Sequence, residues 1–303
     1  MALPIVDGRP LFVTPRSSPD LDGVACAIAY SELLCALGHT AVPLIDGVPD
    51  GEARFVLAEL GCTAALPHAI DSHVILVDAS DVLGLPAMVD PRKVIEVIDH
   101  RMHHDAARVF PAATLQIEPV GAAATLVAER WRAAGAYPSL ASNHLLQAAI
   151  QSNTQALRGS VTTLRDVDAS AWLSSLSPLR QGMVERQFAA RTADIVADLA
   201  LALRRECKTF DHQDGAFVVS QIELVGGLAA LHDVEALTAG LGPRSMVNVV
   251  DTARASSDVV VIDPEFRRWV AARLGVEFRG CVAHSPRAML RKQIVTKLLG
   301  HFA

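Results

Sequence analysis

The chain has 303 residues, 51% of them apolar and only 20% charged, enough for a substantial core and too apolar for an intrinsically disordered chain. A net charge of −6 and a pI near 6.0 exclude a general nucleic-acid binder, which carries a basic face, although a local basic pocket is still allowed. No run approaches the roughly 18 apolar residues of a membrane helix, and residues 1–7 lack the basic and apolar regions of a signal peptide, so a cytoplasmic protein with no membrane partner is expected.

Leu11 to Thr14 reads as a strand, and Gly23 to Leu37 as a helix closed by Gly38. Val42 to Ile45 reads as the next strand, and Glu52 to Leu60 as a helix closed by Gly61. Val74 to Val77 and Val94 to Ile98 are short apolar runs of the kind found in buried strands. Gly121 to Ala134 and Ser142 to Leu157 then follow as helices. Strand-helix alternation of this kind predicts an α/β fold with a covered parallel sheet. Pro178 to Arg205 reads as continuously helical. Beyond it, strand-like runs at Thr209–Phe210, Ala216–Val219, Val247–Val250 and Val259–Ile262, with helices at Val234–Leu241 and Phe266–Leu274, predict a second, smaller α/β domain. The boundary is placed near residue 190, giving domains 1–190 and 191–303. Five cysteines without C-x-x-C spacing are expected to be reduced, buried thiols.

The chemistry-bearing residues lie where these strands end. Asp20 and Asp22 follow the first strand, Asp78 closes Val74–Val77, and Asp99-His100 closes Val94–Ile98. Taken singly, each has a plain structural reading: an Asp before a helix caps it, and Pro-Asp marks a turn. Together they are more specific, because a parallel sheet brings its carboxyl ends to one crevice. Oxygen and imidazole ligands gathered there suit a divalent-metal phosphate site, in which two ions clamp a phosphate and lower the pKa of a water. No G-x-G-x-x-G follows the first strand, which makes a dinucleotide enzyme a poor reading.

The spacing resembles that of the DHH phosphoesterases, most closely the manganese-dependent (family II) inorganic pyrophosphatases. Pro15-Arg16-Ser17-Ser18-Pro19-Asp20-Leu21-Asp22-Gly23 occupies the first motif, and Leu76-Val77-Asp78-Ala79-Ser80 the second. Asp99-His100-Arg101 stands at the D-H-H signature, and Glu118-Pro119-Val120-Gly121 at E-P-V-G. Ser152-Asn153-Thr154 stands at S-D-T, Glu206-Cys207-Lys208 at D-x-K, and Met289-Leu290-Arg291-Lys292-Gln293 at the terminal S-R-K-K-Q. The likeness runs in order through nearly the whole chain. It implies two domains with a cleft between them, the first holding metals and the second carrying basic residues for substrate phosphates.

On that resemblance, Asp20, Asp22, Asp78 and His100 keep ligand and catalytic residue types. Arg101, Lys208, Arg291 and Lys292 stand at substrate-contact positions. Arg16 replaces a ligand histidine, Asn153 a ligand aspartate, Ala79 and Arg101 further histidines, and Leu290 a basic residue. Arginine has no lone pair and stays protonated. A unit positive charge about 4 Å from a divalent ion costs ~8 kcal/mol at an effective dielectric near 20. The resemblance therefore implies at most one well-held manganese or magnesium ion, or none, on Asp22, Asp78 and His100, with the Asn153 oxygen as a weak fourth ligand. His103 and His104 in the following loop read as solvated residues, with further ligands to the ion as the alternative. The Arg16 guanidinium is expected to pair with Asp20 or Asp78 and fill a metal position. The function implied is that of a pyrophosphatase-like phosphohydrolase holding a small phosphate-containing ligand, with weakened or altered metal-dependent hydrolysis. The alternative is a catalytically inactive anion-binding or regulatory homologue. A homodimer is compatible with either.

Overall fold

The computed structural model describes residues 9–62, 72–101, 104–231, 237 and 240–300. The chain divides into two compact units between Gln187 and Phe188.

The first unit runs β1 (Leu11–Thr14), α1 (Leu21–Ala36), β2 (Ala41–Pro43), α2 (Gly51–Leu60), β3 (Val74–Val77), β4 (Val94–Asp99), α3 (Ala106–Val109), β5 (Thr114–Ile117), α4 (Ala123–Ala133), α5 (Leu140–Asn153) and α6 (Leu164–Leu176), followed by α7 (Met183–Ala197). The five strands form a parallel sheet in the order β2-β1-β3-β4-β5. Successive residues of β3 point to opposite faces. Ile75 and Val77 pack with the α1, α4 and α5 core around Val24, Leu126 and Leu145, whereas Val74 and Leu76 pack with Ala106 and Phe110. Both faces are thus covered, which is why these strands read as unbroken apolar runs.

The helix caps are set by sequence. Asp20 caps α1 by accepting from the Gly23 amide, and Asp50 caps α2 by accepting from that of Ala53. Gly61 closes α2 in the left-handed region at φ +65°. The helix expected to reach Leu157 stops at Asn153, because Gln155, Ala156 and Leu157 all adopt left-handed φ values of 51°, 57° and 62°. Each costs roughly 1–2 kcal/mol for a residue with a Cβ. The turn is braced by Thr154, whose carbonyl accepts from Gly159 N and whose hydroxyl accepts from Leu157 N.

The second unit continues with α8 (Leu199–Arg205), β6 (Cys207–Phe210), β7 (Phe217–Leu224), β8 (Ser245–Asp251), β9 (Ser256–Val260), α9 (Pro264–Leu274), β10 (Val282–Ser285) and α10 (Arg291–Leu298). Its sheet has the order β10-β9-β8-β7-β6 and is mixed, with only β7 and β8 parallel. The stretch from Pro178 to Arg205 is not one helix. Gly182 turns at φ +74° before α7. Asp198 breaks the run between α7 and α8 by capping Leu201 N with its own side chain at 2.9 Å, the local competition that makes Asp a helix starter. The helix expected at Val234–Leu241 falls largely outside the described residues. The five cysteines are free, but only Cys26 is buried, and Cys35 is exposed.

Among the described residues no helix is long and apolar enough to cross a membrane.

Candidate metal centre

The strand order reverses direction at β1, whose neighbours are β2 and β3. At such a switch point the connections leave opposite ways and open a crevice at the strands' carboxyl ends. Asp20 and Asp22 follow β1, Asp78 follows β3, and His100 follows β4. Ligand atoms of Asp22, Asp78 and His100 all lie within 4.8 Å of one another.

Asp22 is fully buried in the first turn of α1. Its Oδ2 accepts from Ala123 N at 2.8 Å and from Asn153 Nδ2 at 2.7 Å. Its Oδ1 accepts from Ala124 N at 2.8 Å and from the Cys26 thiol at 3.6 Å. Two of these donors are the leading amides of α4, where the helix dipole favours an anion. Burial, then the Asp78 charge, pushes the Asp22 carboxyl up to about 8 against the pull of His100.

Asp78 is buried and adopts a left-handed φ of 51°. Burial raises its pKa although Arg101 opposes this. His100 Nδ1 lies 3.1 Å from the Val120 carbonyl, and its Nε2 lies 3.5 Å from Asp78 Oδ1 and 4.0 Å from Asp22 Oδ2. A carbonyl only accepts, so Nδ1 carries the hydrogen and Nε2 is the nitrogen turned to the carboxylates. That is how a metal-ligating histidine is usually oriented. Burial disfavours its charged form, yet the hydrogen bond and charge of Asp78, with Asp22 and Asp99 behind, lift His100 to about 9.

The other predicted positions differ. Asp20 is occupied as the α1 cap. Burial would raise its pKa, but the Arg16 charge and the Gly23 amide bring it below its ordinary value. Asn153 turns its amide nitrogen, not its oxygen, to Asp22. Arg101 Nη1 donates to the Asp78 carbonyl at 2.6 Å and to Asp99 Oδ2 at 3.3 Å, and Nη2 donates to Asp78 Oδ1 at 3.4 Å. The donor set Asp22, Asp78 and His100 fits one divalent cation. Beside it, the Arg101 guanidinium and the Asn153 amide nitrogen turned to these carboxylates donate hydrogen bonds and offer no lone pair to an ion. His103 lies outside the described residues, and His104 is exposed.

In the second unit, Lys208 is exposed on β6 and Lys292 is exposed on α10. The Arg291 guanidinium donates to the Glu206 carbonyl and lies 3.4 Å from its carboxylate.

Sequence reading placed Asp99 at the strand end beside His100 but gave neither Asp99 nor Asp166 a role in the centre. Asp99 Oδ1 accepts from His100 N at 2.7 Å while its Oδ2 holds Arg101. Asp166 accepts from Gly121 N, the Thr125 hydroxyl and both Thr163 donors. It thereby fixes the turn that presents the Ala123 and Ala124 amides. The Thr163-x-x-Asp166 spacing of a capping box was the available signal for it.

No protein-family model matches the chain. Curated relatives do. A Deinococcus radiodurans protein named "Probable manganese-dependent inorganic pyrophosphatase" is 29% identical over 97% of this chain and 99% of its own length. A manganese-dependent inorganic pyrophosphatase of Methanothrix thermoacetophila is 30% identical over 71% of this chain and 70% of its own. Among solved structures, a Methanococcus jannaschii protein described as a "putative family II inorganic pyrophosphatase" superposes with a TM-score of 0.75 at 20% identity, over 96% of this chain and 98% of that one. Its two-unit α/β fold is the fold described above. With relatives at this identity and coverage, the chain belongs to the manganese-dependent, family II inorganic pyrophosphatases of the DHH superfamily.

Proposed function

We propose that the chain binds a small phosphate-containing compound and hydrolyses it weakly, or in altered form, with a single divalent ion where the family resemblance implies two. The observation that carries this reading is the convergence of Asp22, Asp78 and His100 within 4.8 Å at the carboxyl edge of the sheet. A manganese or magnesium ion bound there supplies Lewis acidity toward a phosphoryl oxygen. The chain's own residues do the rest. His100, oriented by the Val120 carbonyl, and Asp78 offer the ligand atoms. Arg101 spends three of its N–H donors on Asp78 and Asp99 and keeps two for an anion. Lys208, Arg291 and Lys292 are the phosphate contacts proposed in the second unit, where Lys208 and Lys292 are exposed.

A second reading, an anion-binding homologue without turnover, is favoured by one observation: the Arg101 guanidinium is held on the same Asp78 carboxylate that would ligate the ion.

Manganese content of the purified protein, measured with phosphate release from pyrophosphate and a panel of phosphoesters, tests both. One ion or fewer with slow release is expected. Two tightly held ions with fast pyrophosphate turnover would refute the proposal, and no release from any substrate would favour the second reading.

A further inference from the structure

We propose that Arg101 is a resident cation of this centre, gripped by Asp78 and Asp99, and that its guanidinium takes the place of a second divalent ion. This rests on the reading of Asp22, Asp78 and His100 as the holders of one ion. It adds a cause for the missing partner ion and a role for Asp99, which positions Arg101.

The grip is three-fold. The left-handed backbone of Asp78 turns its carbonyl and its carboxylate to the same side, and both accept from Arg101, at 2.6 and 3.4 Å. Asp99, fully buried, completes the clamp. Withdrawing the guanidinium would take from buried Asp99 its ion-pair partner and leave Asp78 with His100 alone, so this arginine is not a side chain that simply swings aside for a metal.

Asp22 closes the alternative route to an ion pair. A carboxylate has about four lone-pair sites, and Asp22 meets four donors: Ala123 N, Ala124 N, Asn153 Nδ2 and the Cys26 thiol. It reaches one ion by giving up one donor, but bridging two ions would require giving up two. The charge count agrees, since a fixed guanidinium next to Asp78 supplies positive charge that a second divalent ion would otherwise bring.

The test is manganese titration followed by electron paramagnetic resonance. It compares the unmodified chain with Arg101→His, Arg101→Lys, Asp99→Asn and the double variant Arg101→His/Asn153→Asp, each confirmed folded by circular dichroism. Arg101→Gln serves if the histidine variant does not fold. The unmodified chain and Arg101→Lys are expected to take at most one manganese ion. Arg101→His should bind manganese at least threefold more tightly, Asp99→Asn should move in the same direction, and the double variant should show the spin-coupled spectrum of a close ion pair. A gain below threefold in Arg101→His would overturn the inference while leaving the one-ion reading intact, and two ions in the unmodified chain would overturn both. Absence of manganese from every variant would instead remove the one-ion reading, and this inference with it.

Discussion

The Asn153 side chain donates to Asp22 Oδ2 at 2.7 Å, tying the last residue of α5 to the first turn of α1. A neutral amide thus satisfies a buried carboxylate at a position where the family resemblance implies a second carboxylate and a metal between them.

Asn153→Asp would set two carboxylates against each other in the metal-free protein. At an effective dielectric near 20 such a pair costs about 4 kcal/mol at 4 Å, part of which is relieved by protonation. The variant is expected to unfold at lower temperature than the unmodified chain in EDTA and to gain more from added manganese. Thermal unfolding with and without manganese measures both. Equal midpoints in EDTA would count against the placement of Asn153.

Stability of the metal-free protein is expected to fall as pH rises from about 6.5 to about 9. His100 sits near 9 in the folded chain against 6.5 ordinarily. The folded form therefore keeps a proton that the unfolded form has released, and that contribution is complete below about 6.5 and lost on approaching 9. Asp22, raised from 3.8 to about 8, acts with the same sign over a lower window, between about 4 and 8. Urea midpoints in EDTA across this range give the slope, and His100→Gln should flatten its alkaline end.

Gly121→Ala is expected to destabilise the first unit by about 1–3 kcal/mol, the usual cost of overpacking. An added Cβ would lie 2.7 Å from Thr154 Cγ2 and 2.9 Å from Asp166 Oδ2, and both neighbours are buried and hydrogen-bonded. Denaturant unfolding checks the value. A neutral result would mean that the turn before α4 can relax.

Glu96, fully buried on β4, accepts from Tyr30 at 2.7 Å and from Arg130 at 2.7 Å. Removing one partner of a buried pair typically costs about 3–5 kcal/mol, whereas replacing both with apolar or neutral groups costs much less. Arg130→Met should therefore lower stability by several kcal/mol in urea unfolding, and Glu96→Gln/Arg130→Met should recover part of that loss. A double variant weaker than the single one would contradict the account.

The edge of the sheet that carries Asp20, Asp22, Asp78 and His100 was legible in the sequence because short apolar runs ending in acids follow directly from strand burial and strand polarity. The break after Asn153 was not. Gln155, Ala156 and Leu157 are all good helix formers, and their left-handed turn is set by bonds to Thr154 and Gln151 that no local pattern encodes. The break at Asp198 was signalled only by a single capping residue inside an otherwise helical composition. The replacement of a histidine by Arg101 was readable, but not its direction. Spacing puts the residue beside the centre, whereas the acceptors that hold it, the Asp78 carbonyl and Asp99, depend on one positive φ. For Arg16, sequence reading expected a partner in Asp20 or Asp78, and in the folded chain its charge bears on Asp20.

The donors that meet Asp22 also set an order of events in biosynthesis. The acid leaves the ribosome early, its first backbone donor follows 101 residues later, and the Asn153 amide comes 131 residues later. Such distant pairings fold slowly, because chain closure is paid for before any contact repays it. A nascent chain halted just after α4 would hold this acid without its last donor, so α5 must clear the exit tunnel before the first unit can settle.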